Sequence, residues 1–173
     1  MKTLILGGVK SGKSRLAETL AIDSGLEVVV VATAIAGDEE MRQRIARHRQ
    51  QRPADWQVIE EPLRLAEQLD RHAASHRCLI VDCLTLWLTQ LLCQPDRSLL
   101  TEQRDALLAV LAQLPGRLVL VGNETGLGVV PPGALSRDYC DQAGLLHQQL
   151  AVVCDQVLLT VAGLPLVLKG EMP

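Results

Sequence analysis

A chain of 173 residues, 48% hydrophobic and 21% charged, suits one globular domain with a substantial core. Its net charge of −3 offers no basic footprint for nucleic acid, and aromatics at 2% (Trp56, Trp87, Tyr139) leave no base-stacking platform. Five cysteines, an odd number without a C-x-x-C pair, read as reduced thiols in a cytoplasmic protein, against a disulfide framework or zinc site.

The opening MKTLILGG carries an apolar run of about five residues before it meets VKSGKSR, so no signal-peptide core forms. The longest apolar runs, LEVVVVATAIAG and CLIVDCLTLWL, are well short of the roughly 18 residues needed to span a bilayer. The expectation is a cytoplasmic chain without stable membrane insertion.

In chain order, residues 2–6 (KTLIL) predict a strand ending in glycines, and residues 13–24 a helix stopped by Gly25. Residues 27–33 (EVVVVAT) form a continuous apolar strand, as in a sheet covered on both faces. Asp38 is placed to cap a helix over 39–50. Helix is expected at 62–74, strand at 78–82, helix at 101–114 up to Pro115-Gly116, and strand at 117–122. A long helix at 135–153 and strands at 156–162 and 165–169 complete the chain. This alternation implies an α/β fold with a mainly parallel central sheet flanked by helices, over a single domain of residues 1–173.

Residues 7–14, GGVKSGKS, fit G-x-x-x-x-G-K-[ST] with Gly7, Gly12, Lys13 and Ser14 in the fixed places. The predicted strand leads in and the predicted helix leads out, the context a phosphate loop requires and a plain glycine turn does not. Glycine lets the backbone curl so that N–H groups face phosphate oxygens, and the helix N-terminus adds partial positive charge. Lys13 would bridge the β- and γ-phosphates and Ser14 would ligate Mg²⁺. Lys10 and Ser11 lie close enough to touch phosphate.

Such a loop needs an acidic partner at the end of another strand. Asp82, closing CLIVD, is placed to hold Mg²⁺ directly or through water, although a strand-end acid or a helix cap has the same pattern. Glu124 in LVGNETGLG is a second acid after a strand, and a loop turn explains it equally. No Asn-Lys-x-Asp segment of the kind that selects guanine in regulatory GTPases is present, which disfavours a switch GTPase.

Residues 44–53, RIARHRQQRP, set His48 among Arg44, Arg47, Arg49 and Arg52. Nearby cations disfavour protonation of an imidazole, and a neutral imidazole is a nucleophile. On a helix starting near Asp38, Met41, Ile45 and His48 fall at i, i+4 and i+7 and share a face. That spacing fits a packed histidine as well as a catalytic one. His72, His76 and His147 show no partner spacing and read as structural or surface residues.

The stretches LILGGVKSGKSRLAE (4–18), VVATA (30–34), DEEMRQRIARHRQQRPADWQVIEEPLRL (38–65), LIVDCLTLWLTQLL (79–92), VLVGNETGLGVVP (119–131) and AGLPLVLKG (162–170) cover most of the chain. Together they resemble the bifunctional adenosylcobinamide kinase / adenosylcobinamide-phosphate guanylyltransferase family of cobalamin biosynthesis. The resemblance implies a RecA-like P-loop NTPase domain and a homotrimer. It implies that ATP or GTP phosphorylates the aminopropanol hydroxyl of adenosylcobinamide, a corrinoid. GTP then guanylylates a histidine, here His48, and GMP passes to the substrate phosphate to give adenosylcobinamide-GDP. The family's nucleotide contacts fall on Gly7, Gly8, Val9, Lys10, Ser11, Gly12, Lys13 and Ser14, on Ala32 and Thr33, on Arg49, Gln50, Gln51 and Arg52, and on Glu60 and Asp82.

The chain departs from the family pattern at Val9-Lys10, where Ala-Arg is common, at Tyr139-Cys140, where Phe-Arg is common, and at His147, where Asn is expected. Residues alone leave two other readings open. One is a P-loop kinase of a small metabolite with a structural His48, and the other is a non-catalytic nucleotide-binding module.

Overall fold

A computed structural model describes residues 1–171, apart from the side chains of Arg44, His48 and Gln51. Strands β1 (Lys2–Gly7), β2 (Glu27–Ala32), β3 (Gln57–Glu60), β4 (Arg77–Asp82), β5 (Arg117–Asn123), β6 (Gln156–Val161) and β7 (Leu164–Lys169) assemble in the order β3-β2-β4-β5-β1-β6-β7. Every neighbouring pair from β3 to β6 is parallel, and β7 returns antiparallel to β6. The helices are α1 (Lys13–Asp23), α2 (Glu39–Gln51), α3 (Leu65–His72), α4 (Leu84–Leu92), α5 (Ser98–Leu111) and α6 (Ala134–Val153).

Successive strand residues point to opposite faces, so a continuous apolar run feeds two cores. Leu4 and Leu6, Val29 and Val31, Leu79 and Val81, and Leu118 and Leu120 meet α3, α4, α5 and α6 on one face. Ile5, Val28, Val30, Ile80, Val119 and Val121 face α1 on the other. Trp87 of α4 is fully buried in the larger core, and its indole N–H donates to the Leu63 carbonyl at 2.8 Å.

Two elements go beyond the sequence expectation. Helix α4 follows Asp82 after one residue, and strand β3 is four residues long. Helix α3 is shorter than 62–74, because the Glu61 carboxylate accepts from the N–H groups of Leu63 and Arg64 and holds them in a turn. Helix α5 begins at Ser98, three residues early, where Asp96 accepts from the Ser98 N–H and hydroxyl. Asp38 caps α2 as expected, its Oδ1 accepting from the Met41 N–H at 2.7 Å.

Candidate functional site

The phosphate loop leaves β1 at the C-terminal edge of the parallel strands, with β5 and β6 on either side. Its shape depends on close backbone approach. A Cβ on Gly7 would lie 2.4 Å from the Thr160 hydroxyl and 2.5 Å from the Thr160 carbonyl oxygen. Gly12 has φ 103°, and a Cβ there would meet Gly163 Cα at 3.1 Å. Only glycine fits both positions.

The loop is clamped from the β6–β7 hairpin. Ser11 Oγ and Thr160 Oγ1 are 2.8 Å apart, Thr160 Oγ1 donates to the Leu6 carbonyl, and the Gly163 N–H donates to the Ser11 carbonyl at 2.9 Å. Ala162 and Gly163, both at positive φ, make the two-residue turn that delivers Gly163. No local motif marks Thr160. The hairpin glycine was the one available signal for the turn.

Lys13 is buried and its ammonium donates to the Gly8 carbonyl at 2.6 Å, curling over the loop it belongs to. Val9, Lys10, Ser11, Gly12, Lys13 and Ser14 all line a cavity of ≈390 Å³. Ala32, Arg52 and Asp82 line it too, so residues from four separate stretches of sequence converge. Helix α2 contributes Met41 and Ile45 to the same cavity. Position 48 lies three residues beyond Ile45 on this helix, and its side chain is outside the described ones.

Arg52 ends α2 in extended conformation, as the residue before Pro53 must. Its guanidinium donates to Asp82 Oδ2 in a closely paired, largely buried ion pair, with side chains 8% and 21% exposed. This contact fastens the end of α2 to the end of β4. Arg49 is exposed and lies 3.7 Å from exposed Glu60; Gln50 is exposed as well, and Gln51's side chain is outside the described ones.

Gly7, Gly8, Thr33, Arg49, Gln50 and Glu60 do not line the cavity. Gly7 and Thr33 act on its frame instead. Thr33 is fully buried; its hydroxyl donates to the Cys83 carbonyl at 2.6 Å and accepts from the Cys83 N–H at 3.0 Å, stapling the end of β2 to that of β4.

Sequence reasoning passed over Arg15, Thr85 and Leu86, which also line the cavity. Thr85 Oγ1 accepts from the Asn123 N–H at 2.8 Å and ties α4 to β5. Glu124 donates its N–H to the Gly7 carbonyl at 2.9 Å, while its carboxylate accepts from the Gly126 N–H and lies 3.9 Å from His147 Nδ1. Burial pushes the His147 imidazole below its usual pKa, and Glu124 pulls the other way. Departing from its expected surface or structural role only in degree, His147 is a mostly buried packing residue.

Ser14 and Asp82 offer hard oxygen donors on one cavity wall, the donor type that suits Mg²⁺. No cluster of three or more His, Cys, Asp or Glu able to hold a metal exists among the described residues. No described helix is long and apolar enough to cross a membrane.

A family model described as cobinamide kinase / cobinamide phosphate guanyltransferase matches residues 3–168. The chain is 61% identical over 171 residues to the bifunctional adenosylcobalamin biosynthesis protein CobP of Pseudomonas aeruginosa, covering 99% of each. It is 35% identical over 182 residues to the bifunctional adenosylcobalamin biosynthesis protein CobU of Escherichia coli K12, covering 98% of this chain and 100% of that one. Among solved structures, the RadB recombinase superposes with a TM-score of 0.51 at 18% identity, over 91% of this chain and 73% of that one. The shared architecture is the RecA-like P-loop NTPase fold, and the matched kinase and guanyltransferase family implies nucleotide binding.

Proposed function

The chain belongs to the cobinamide kinase / cobinamide phosphate guanyltransferase family, and from that membership we propose how its residues divide two transfers on one corrinoid. In the kinase step the aminopropanol hydroxyl oxygen of adenosylcobinamide bonds to the γ-phosphorus of ATP or GTP. The bond from that phosphorus to the β-phosphate oxygen breaks and the nucleoside diphosphate leaves. In the guanylyltransferase step a ring nitrogen of His48 bonds to the α-phosphorus of GTP and pyrophosphate leaves. The phosphate oxygen of the phosphorylated corrinoid then takes GMP from His48, restoring the imidazole and giving adenosylcobinamide-GDP.

The observation that carries this reading is helix α2 forming one wall of the phosphate-loop cavity through Met41 and Ile45. A nucleotide bound in that cavity would then lie against the helix that bears position 48. Of the cations lining the cavity, Lys10, Lys13, Arg15 and Arg52, Lys13 and Arg52 would offset charge on the phosphates and the leaving pyrophosphate. Arg44, Arg47 and Arg49 in the same segment favour a neutral, nucleophilic imidazole. Ser14 and Asp82 would hold Mg²⁺, which when bound supplies further charge neutralisation on the polyphosphate. Arg49, Gln50, Gln51, Glu60 and the Ala32-Thr33 segment are proposed to complete the nucleotide site around α2.

A homotrimer in the cytoplasm is part of the proposal. Leu164, Leu166 and Leu168 form an exposed apolar stripe along edge strand β7, at 72%, 56% and 56% exposure, which supports self-association. Free thiols at Cys78, Cys83, Cys93, Cys140 and Cys154 suit a reducing compartment.

The test is an incubation with GTP labelled at the α-phosphate, followed by denaturation. Acid-labile, base-stable label on the protein is expected, and His48→Asn should carry none. Label that persists in His48→Asn would remove His48 from the role, and no label on the wild type would leave the kinase step alone.

A further inference from the structure

A second cavity, of ≈420 Å³, opens between α4, the first turns of α6 and the loop that follows β5. It has no counterpart in the phosphate chemistry above. Hydroxyl groups of Thr125, Ser136 and Tyr139 line it, together with Leu92, Val129 and Leu135. No Lys, Arg, Asp or Glu contributes to its lining. Such a surface rejects a polyphosphate and suits an uncharged group that carries methyls and hydrogen-bonding amides.

The two cavities share a wall. Thr85 lines the nucleotide cavity, and its carbonyl accepts at 2.8 Å from the hydroxyl of Thr89, one turn along α4, which lines the second. Asn123 faces the first cavity and Thr125 the second, on either side of Glu124. The Asn123 N–H, bonded to Thr85 Oγ1, closes the partition. The second cavity therefore lies beside the one that the phosphate loop lines. Of its lining residues Val129 and Leu135 are 96% and 54% exposed, apolar surface that continues the cavity outward.

We infer that this second cavity is the acceptor subsite, holding one edge of the corrinoid's amide- and methyl-rich periphery while its hydroxyl arm crosses the Thr85–Thr89 partition into the nucleotide cavity. The inference rests on the proposed activity. The same placement serves both steps, because the alcohol and its phosphate ester carry the same ring and differ only at the end that reaches the nucleotide side. The chain's Tyr139-Cys140, in place of an aromatic-Arg pair, keeps this wall uncharged.

Cobinamide is the probe. Wild-type protein is titrated with it, and separately with a fluorescent GTP analogue, and sedimentation gives the assembly state. Wild type that takes the nucleotide but not cobinamide overturns the activity itself before any variant is made. Ser136→Arg and Val129→Arg, both at exposed positions, are then compared with Ser136→Ala. Each arginine should weaken cobinamide binding by roughly tenfold or more, since its long side chain occupies the space the corrinoid edge would fill and must be displaced with its hydration. Nucleotide affinity and sedimentation should match wild type, and Ser136→Ala should still bind cobinamide. Unchanged cobinamide affinity in both arginine variants overturns the assignment. So does a loss of assembly that accounts for the loss of affinity, which would place a second copy of the chain on this surface.

Discussion

Replacing Arg52 by alanine should unfasten α2 from the sheet. The guanidinium is 8% exposed and its partner Asp82 21%, so the pair lies between two measured regimes. Removing one member of a fully buried pair costs about 3–5 kcal/mol, whereas an exposed pair contributes about 0–1 kcal/mol. An intermediate cost of about 2 kcal/mol is expected, most of it from leaving the Asp82 carboxylate without its cation. For a chain of this length that is a fall in Tm of roughly 4–8 °C. High salt should not erase the difference, because a pair this enclosed is poorly screened. Arg49→Ala is the control. Its contact with Glu60 is 3.7 Å long with both side chains over 60% exposed, so its loss should cost less than about 0.5 kcal/mol. The assay is thermal unfolding without nucleotide, followed by self-guanylylation with labelled GTP. Arg52→Ala should label more slowly, since the helix bearing position 48 has lost its anchor. Equal melting of Arg52→Ala and wild type, or equal losses in Arg52→Ala and Arg49→Ala, would refute the anchoring role.

Thr160→Val keeps the shape of the β6 side chain but leaves the buried Ser11 hydroxyl without its 2.8 Å partner. A loss of about 1–3 kcal/mol and a weaker nucleotide affinity are expected; wild-type values for both would dismiss the hairpin clamp. The pH dependence turns on His147, whose folded pKa is pushed down by burial. The unfolded chain then binds the proton more readily. Stability is full above about pH 6.5 and declines as pH falls below it. His72, also lowered by burial, adds in the same direction. His147→Gln should flatten part of that decline in urea unfolding midpoints, and an unchanged slope would show that His147 does not contribute. Cys154, with its thiol pushed up to about 11, should resist alkylation at neutral pH while exposed Cys93 reacts. Mass mapping that finds Cys154 modified first would contradict the packing described for it.

The central parallel strands were legible because each is buried on both faces, so Val28–Val31 of β2, Leu79–Val81 of β4 and Leu118–Val121 of β5 read as unbroken apolar runs. The same property hid α4. Leu84, Trp87, Leu88, Leu91 and Leu92 are its buried stripe at helical spacing, but Leu86 and the apolar strand just before it blur the period. Strand β3 escaped for a different reason. Four residues with only Val58 and Ile59 reaching the cores give too short a pattern to separate from a loop.

At the site, legibility followed distance along the chain. The phosphate loop is a local motif, and its glycines declare themselves within eight residues. The contacts that hold it are remote: Ser11 meets Thr160 across 149 positions and Arg52 meets Asp82 across 30. Neither pairing leaves a local trace, although Arg52 and Asp82 were each expected at the site singly. RIARHRQQRP shows where spacing itself runs out. Met41 and Ile45 looked like the packed side of an amphipathic helix, and packing there seemed to compete with a reactive role for position 48. In the fold, Met41 and Ile45 form part of the wall of the phosphate-loop cavity. The face of α2 that carries Met41 and Ile45 is thus a cavity wall, so apolar residues at this spacing do not by themselves mark a side packed into the core. Periodicity alone could not separate the packed from the reactive reading of position 48, because both place it on the side of Met41 and Ile45.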